Sequence, residues 1–247
     1  MKLKKKSGLM GAVIALSAAS LVSVGFASWV ISQGDTIVAD GTILVDNVDN
    51  QNHEILDDQS GWVSSKNGGT INNDLNKIVY GASADALSST GWLKNDGKLQ
   101  GSETQSSAAV LTAWYMIKVN NVKATDKYGD IIQSVTFEEP ANYETARTAG
   151  YVGAFPTPKA YIAGEEASST SVVGADGLIV FEFNFTWGSL TNNGDPFAYW
   201  NAKTITVGET EGDYPTANAR ATAAANYFAG LQTALTGVTY SCTITTK

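Results

Sequence analysis

Side chains that do chemistry are scarce in this sequence. The 247 residues include one cysteine, Cys242, and one histidine, His53. A single cysteine excludes an intramolecular disulfide, so stability must come from a core or from assembly. A single histidine excludes a zinc site built from several histidines and any triad that needs a second one. Glu54 follows His53, but Asp57 stands where a zinc-protease helix motif needs its second histidine, so His53 reads as a solvated loop residue. No glycine-rich phosphate loop precedes a helix, and no basic, aromatic-studded stretch suits a nucleic acid. Charge is sparse as well, with only 16% Asp, Glu, Lys and Arg and a net charge of -8. An acidic surface of this kind repels nucleic acid and anionic lipid.

The longest absence of charge runs from Ser7 to Gly34. Lys2, Lys4, Lys5 and Lys6 precede it, Leu9 to Val24 is apolar with small residues mixed in, and Gly25-Phe26-Ala27 places small side chains before Ser28. A positive start, an apolar helix and a small-x-small site are the three parts of an export signal, cut here between Ala27 and Ser28 by a signal peptidase. Two alternatives stay open. An uncleaved run of this length spans a bilayer, which takes about 20 residues, and leaves a membrane-anchored domain. A pilin-type cut after Gly8 would leave the apolar helix on the mature chain. Removing 27 residues, four of them lysine, from a chain of net charge -8 leaves 220 residues at -12. The expected organisation is a signal at residues 1–27 and one secreted domain at residues 28–247.

What is plentiful is the composition of an extracellular β-protein: 43% apolar residues, 10% aromatics, and much Gly, Ser, Thr and Asn. Period-two alternation marks strands. Leu178 to Trp187 places Ile179, Phe181, Phe183, Phe185 and Trp187 on one face. Val238 to Thr246 places Val238, Tyr240, Cys242 and Ile244 on one face against Thr and Ser, and reads as an antiparallel strand. Val110 to Val119 is apolar on both faces and reads as a central strand covered twice. Ile131 to Phe137 and Thr36 to Val45 are further strands, the latter with Gly41 as a candidate bulge. One amphipathic helix is expected from about Pro215 to Leu235, capped by Asp213 or Tyr214, with Gly237 in a left-handed C-terminal position. The polar stretches 46–76, 82–105 and 161–177 read as long surface loops carrying short strands. Together these predict a mainly β fold: a jelly-roll-like antiparallel β-sandwich with one helix near the C-terminal end, preceded by the apolar signal helix.

Candidate sites are few. Cys242, on the apolar face of a strand, reads as an inert core thiol. Asp46, Asp49, Asp57 and Asp58 form an acidic loop, and Asn192-Asn193-Gly194-Asp195 another. Neither has the full twelve-residue calcium pattern, so weak calcium binding is the only cofactor left open. Trp187, Phe197, Tyr199 and Trp200 surround the second loop, where they serve a core, a subunit contact or a sugar-stacking face. The last residues carry no apolar tail, basic stop or wall-sorting signal, and no cysteine follows the signal to take a lipid. Retention at the surface would then come from an uncleaved anchor or from self-assembly.

The start of the chain resembles the TasA/camelysin family of secreted matrix proteins of Gram-positive bacteria. The likeness rests on the lysine-rich start, the apolar segment, Ala27-Ser28-Trp29 at the cut, and the strand from Thr36 to Val45, about the first fifth of the chain. After the cut the chain reads Ser28-Trp29-Val30-Ile31-Ser32, where the family commonly has an aromatic, a small polar residue and an acid. The resemblance implies a jelly-roll fold and fibres in which a freed N-terminal strand completes the next subunit's sheet. Main-chain hydrogen bonds would supply affinity there, and Ile37, Val38, Ile43, Leu44 and Val45 make up the candidate assembly strand, with Ile37, Ile43 and Val45 filling pockets. The expected function is a non-enzymatic structural protein of the cell surface or biofilm matrix that self-associates into polymers, with other matrix proteins or glycans as further partners. An adhesin or glycan-binding module using Trp187, Tyr199 and Trp200 is the first alternative. A camelysin-like protease, unsupported by the broken motif at His53, is the second.

Overall fold

In a computed structural model the described residues are 39–49, 52–80 and 110–247. The export signal, the cut at Ala27 and Ser28, Ile37 and Val38, and the loop at 82–105 lie outside them.

Two sheets face each other. The first has four strands in the order β3-β1-β9-β5: β1 Ala39–Val48, β3 Lys77–Tyr80, β5 Ile132–Glu138 and β9 Val238–Thr246. The second has five in the order β2-β4-β8-β6-β7: β2 Gly61–Val63, β4 Thr112–Lys118, β6 Lys159–Ile162, β7 Glu165–Glu166 and β8 Leu178–Asn184. The molecule is mainly β, as the alternating segments require. One pairing departs from an all-antiparallel sandwich: β1 runs parallel to β9, in continuous register from Gly41 opposite Val238 to Val48 opposite Thr245. Antiparallel partners flank this pair, β3 against Ala39 to Thr42 and β5 against the far side of β9.

The core lies between the sheets, because the longer strands turn their apolar period inward. Tyr240, Cys242 and Ile244 of β9 are essentially inaccessible, while Thr239 and Ser241 face out. Aromatic rings bridge the layers, edge to face or tilted. Phe137 of β5 meets Phe183 of β8 at 4.8 Å, and Phe185 meets Tyr240 at 5.0 Å. β4 is covered on both sides, as its unbroken apolar run predicts. Its Tyr115 and Ile117 enter the main core, and Met116 joins a smaller cluster with Val63, Tyr161 and Val180.

Helices α1 (Tyr128–Ile131), α2 (Ala141–Thr148) and α3 (Pro196–Ala202) are short; α4 (Ala217–Leu235) is the long one. α4 starts two residues later than its sequence signals suggest. Neither Asp213 nor Tyr214 caps it. Thr216 does, its Oγ1 accepting from the Ala219 N–H at 3.1 Å. Asp213 instead caps a turn, accepting from the N–H and hydroxyl of Thr204 and from Lys203, which holds its carboxyl down at about 2. Ala224, Tyr227, Phe228, Leu231 and Leu235 bury one face of α4. Gly237 takes the expected left-handed conformation, φ +72°, and donates its N–H to the Asp40 carbonyl of β1 at 2.8 Å. The turn after the helix is thereby tied to the strand that β9 is about to join. No described helix is long and apolar enough to cross a membrane.

Candidate functional site

Of the candidate assembly strand, Ile43, Leu44 and Val45 are described, and all three lie in β1. Ile43 is buried in the core, Leu44 is exposed, and Val45 is half-buried. β1 runs to Val48, three residues further than its alternation suggests. Gly41 is not a bulge, since both ladders pass through it in register. Its missing side chain serves a close approach instead: a Cβ there would lie 2.5 Å from Cε2 of the Tyr240 ring and 3.1 Å from the Val238 carbonyl. Glycine lets the two backbones and the buried tyrosine share that space.

β1 has one well-covered half and one bare half. β3 begins only at Lys77, opposite Thr42, and the Ile43 N–H donates to Asn76 O at 2.8 Å. Before this point the chain lies in a 3-10 turn at Asn73–Leu75, off the edge of β1. Alternate residues of a strand present their main-chain groups to opposite edges, so Val45 and Asn47 face the side that β3 has left. Among the described residues their N–H and C=O groups meet no partner on that side. A groove of about 440 Å³ runs along this edge, closed opposite by Gly61 and Trp62 of β2 and floored by Tyr115. Among the described residues Asp46 and Asp57 line it, and no lysine or arginine does. The Asn47 amide donates to Asp57 Oδ1 at 2.9 Å, which fixes its orientation. That leaves its oxygen buried and without a partner among the described residues.

The remaining candidates fall in other places. Cys242 is a core thiol, 1% exposed, and burial pushes its pKa up to about 12. His53 is half-buried rather than solvated, and its carbonyl accepts from the Thr246 hydroxyl at 2.6 Å. Residues 53–56 form no helix, so Glu54 and Asp57 do not share a helical face with it. Asp49 turns back to accept from the Ile55 N–H at 2.7 Å and so does not converge with Asp57. Among the described residues no three His, Cys, Asp or Glu side chains are grouped to hold a metal ion. Asn192 and Asn193 of the second loop are left-handed residues of a turn held by Thr191 Oγ1 on Gly194 O. Trp187 and Trp200 are buried, at 8% and 6% exposure, and Lys203 lies over the half-buried Tyr199 ring at 4.7 Å. The structure therefore presents neither indole face to solvent.

The groove is the feature that reading the sequence misses. Its one sequence signal is the polar run Asn72-Asn73-Asp74, which ends β3 early in the direction of β1, and nothing local marks that run as bordering another strand. Comparison of the chain with family models, with curated proteins and with solved structures finds no match.

Proposed function

We propose that this is an exported, non-enzymatic structural protein of the bacterial cell surface or matrix, and that it assembles by exchanging β1 between copies. The fold in this reading is a jelly-roll variant, and the signal is cut before β1 so that the strand begins near a free end.

The position of β1 carries the proposal. It is the first described element, yet it lies inside a sheet, between strands that begin at Lys77 and Val238. No described strand reaches it through a tight hairpin. Its inward residues, Ala39 and Ile43, plug the core between β3 and β9. A strand held by its ladders and its inward side chains can be supplied by its own chain or by another with the same contacts. The buried indoles leave the sugar-stacking alternative with less support.

Paired cysteines test the exchange. Leu44 and Ser241 are both exposed and lie opposite each other in the β1–β9 ladder. In the Leu44→Cys, Ser241→Cys variant, oxidation of dilute monomer is expected to lock β1 at home and prevent polymers until a reductant is added. Oxidation after assembly is expected to give covalent ladders on a denaturing gel. Polymers that form equally well from locked monomer, or that yield only monomer after oxidation, overturn the proposal.

A further inference from the structure

We infer that the groove beside the bare half of β1 is a docking site for an extended segment of a partner protein that carries a lysine or arginine. The inference goes beyond strand exchange, because it concerns an edge that no described strand covers when β1 is in place.

The main chain calls for an extended guest. Val45 and Asn47 offer two N–H donors and two C=O acceptors in the spacing of a strand edge, where β3 would have continued had it not turned off at Asn76. A segment laid along Ile43 to Asn47 spans about 16 Å at strand rise and prolongs the sheet by addition. Two walls limit the guest to a single strand, since β2 and the turn at Asn73–Leu75 occupy the far side. An open edge of this kind would invite unselective pairing on a flat sheet, and the walls guard against it.

The lining selects the charge. Among the described residues Asp46 and Asp57 are the only carboxylates on the groove, and no described basic residue answers them there. The buried Asn47 oxygen requires a donor, and its orientation cannot be reversed without turning it against Asp57. An ammonium or guanidinium on the inward face of the guest supplies donors to Asp57 and to the Asn47 oxygen, while Asp46, on the opposite face of β1, contributes its charge alone. A guest with an acidic side chain meets repulsion and leaves that oxygen bare.

The probe is the acetylated pentapeptide Thr-Val-Lys-Val-Thr, titrated into the full chain with amide resonances followed by NMR. The peptide is expected to shift the Val45 and Asn47 amides saturably and to slow their exchange with solvent. A glutamate version should bind at least tenfold more weakly, and a version N-methylated at alternate residues should not bind. The Asp46→Asn, Asp57→Asn variant changes exposed side chains, so its unfolding midpoint is expected to stay put while the lysine-over-glutamate preference disappears. No saturation at several millimolar peptide, equal binding of the glutamate version, or an unchanged preference in the variant overturns the inference. So does protection of the two amides that rises with protein concentration alone, because the occupant would then be a second copy. None of these readings depends on polymers, so the exchange of β1 and the docking groove stand or fall separately.

Discussion

Cys242 shows how far the setting of one residue determines its behaviour. A thiol is worth little as a hydrophobe, but here burial keeps it protonated, with its pKa up at about 12 against an ordinary 9.0. Tyr240, two residues away on the same buried face, is pushed to about 12 from 10.0 by the same desolvation. A group whose pKa is raised on folding stabilises the fold fully below its unfolded pKa, and that contribution is lost as the pH climbs towards the folded value. The urea midpoint is therefore expected to be flat from neutral pH up to about pH 9 and to fall steadily above it. In Cys242→Ala the decline should begin nearer pH 10, where tyrosine takes over. A midpoint independent of pH between 9 and 11 would contradict the burial of both groups. The sequence sufficed for this placement, because alternation alone put Cys242 on the apolar face of its strand.

Among the elements, β1 and β9 form the pair that organises the rest. Gly41 makes their contact possible by leaving room for the Tyr240 ring. Gly41→Ala would drive a methyl group to 2.5 Å from a ring that is fully buried and cannot step aside. The expected cost is about 1–3 kcal/mol, the usual range for overpacking a core, seen as a lowered denaturant midpoint with an unchanged slope. An unaltered midpoint would mean that the strands do not approach as described. The sequence made β8, β9, β4 and β5 legible because each is long enough for a period to show. β2 and β7, at three and two residues, are too short to carry one. Helix α4 was legible in its apolar spacing and its terminal glycine, but its start was not, since Thr216 and Asp213 are both capping residues and only the three-dimensional turn at Thr204 claims Asp213. Pairing direction was beyond reach for a different reason. Local alternation says which face a residue takes, but nothing within Ala39–Val48 says that its partner lies some two hundred residues on, or that it runs the same way. The groove inherits this blindness, because it exists only where β3 stops short of covering β1.

On the scale of the whole molecule, parallel pairing of the first and last described strands sets how the domain carries load. The chain enters β1 at Ala39 and leaves β9 at Thr246, at opposite ends of the shared ladder. Tension applied between the two ends pulls the strands past each other lengthwise, so every hydrogen bond from Gly41 to Val48 resists at once. Antiparallel neighbours behave otherwise. β5 begins beside the end of β9, with Ile132 opposite Thr246, so handles at Gln133 and Lys247 would open that pair one bond at a time. Single-molecule pulling is expected to need a several-fold higher force from the ends of the domain than from this second pair of handles. Equal forces would mean that the β1–β9 ladder is not the resisting element. Under strand exchange the same ladder would join one subunit to the next, and the joint of a stretched polymer would be loaded along its strongest direction.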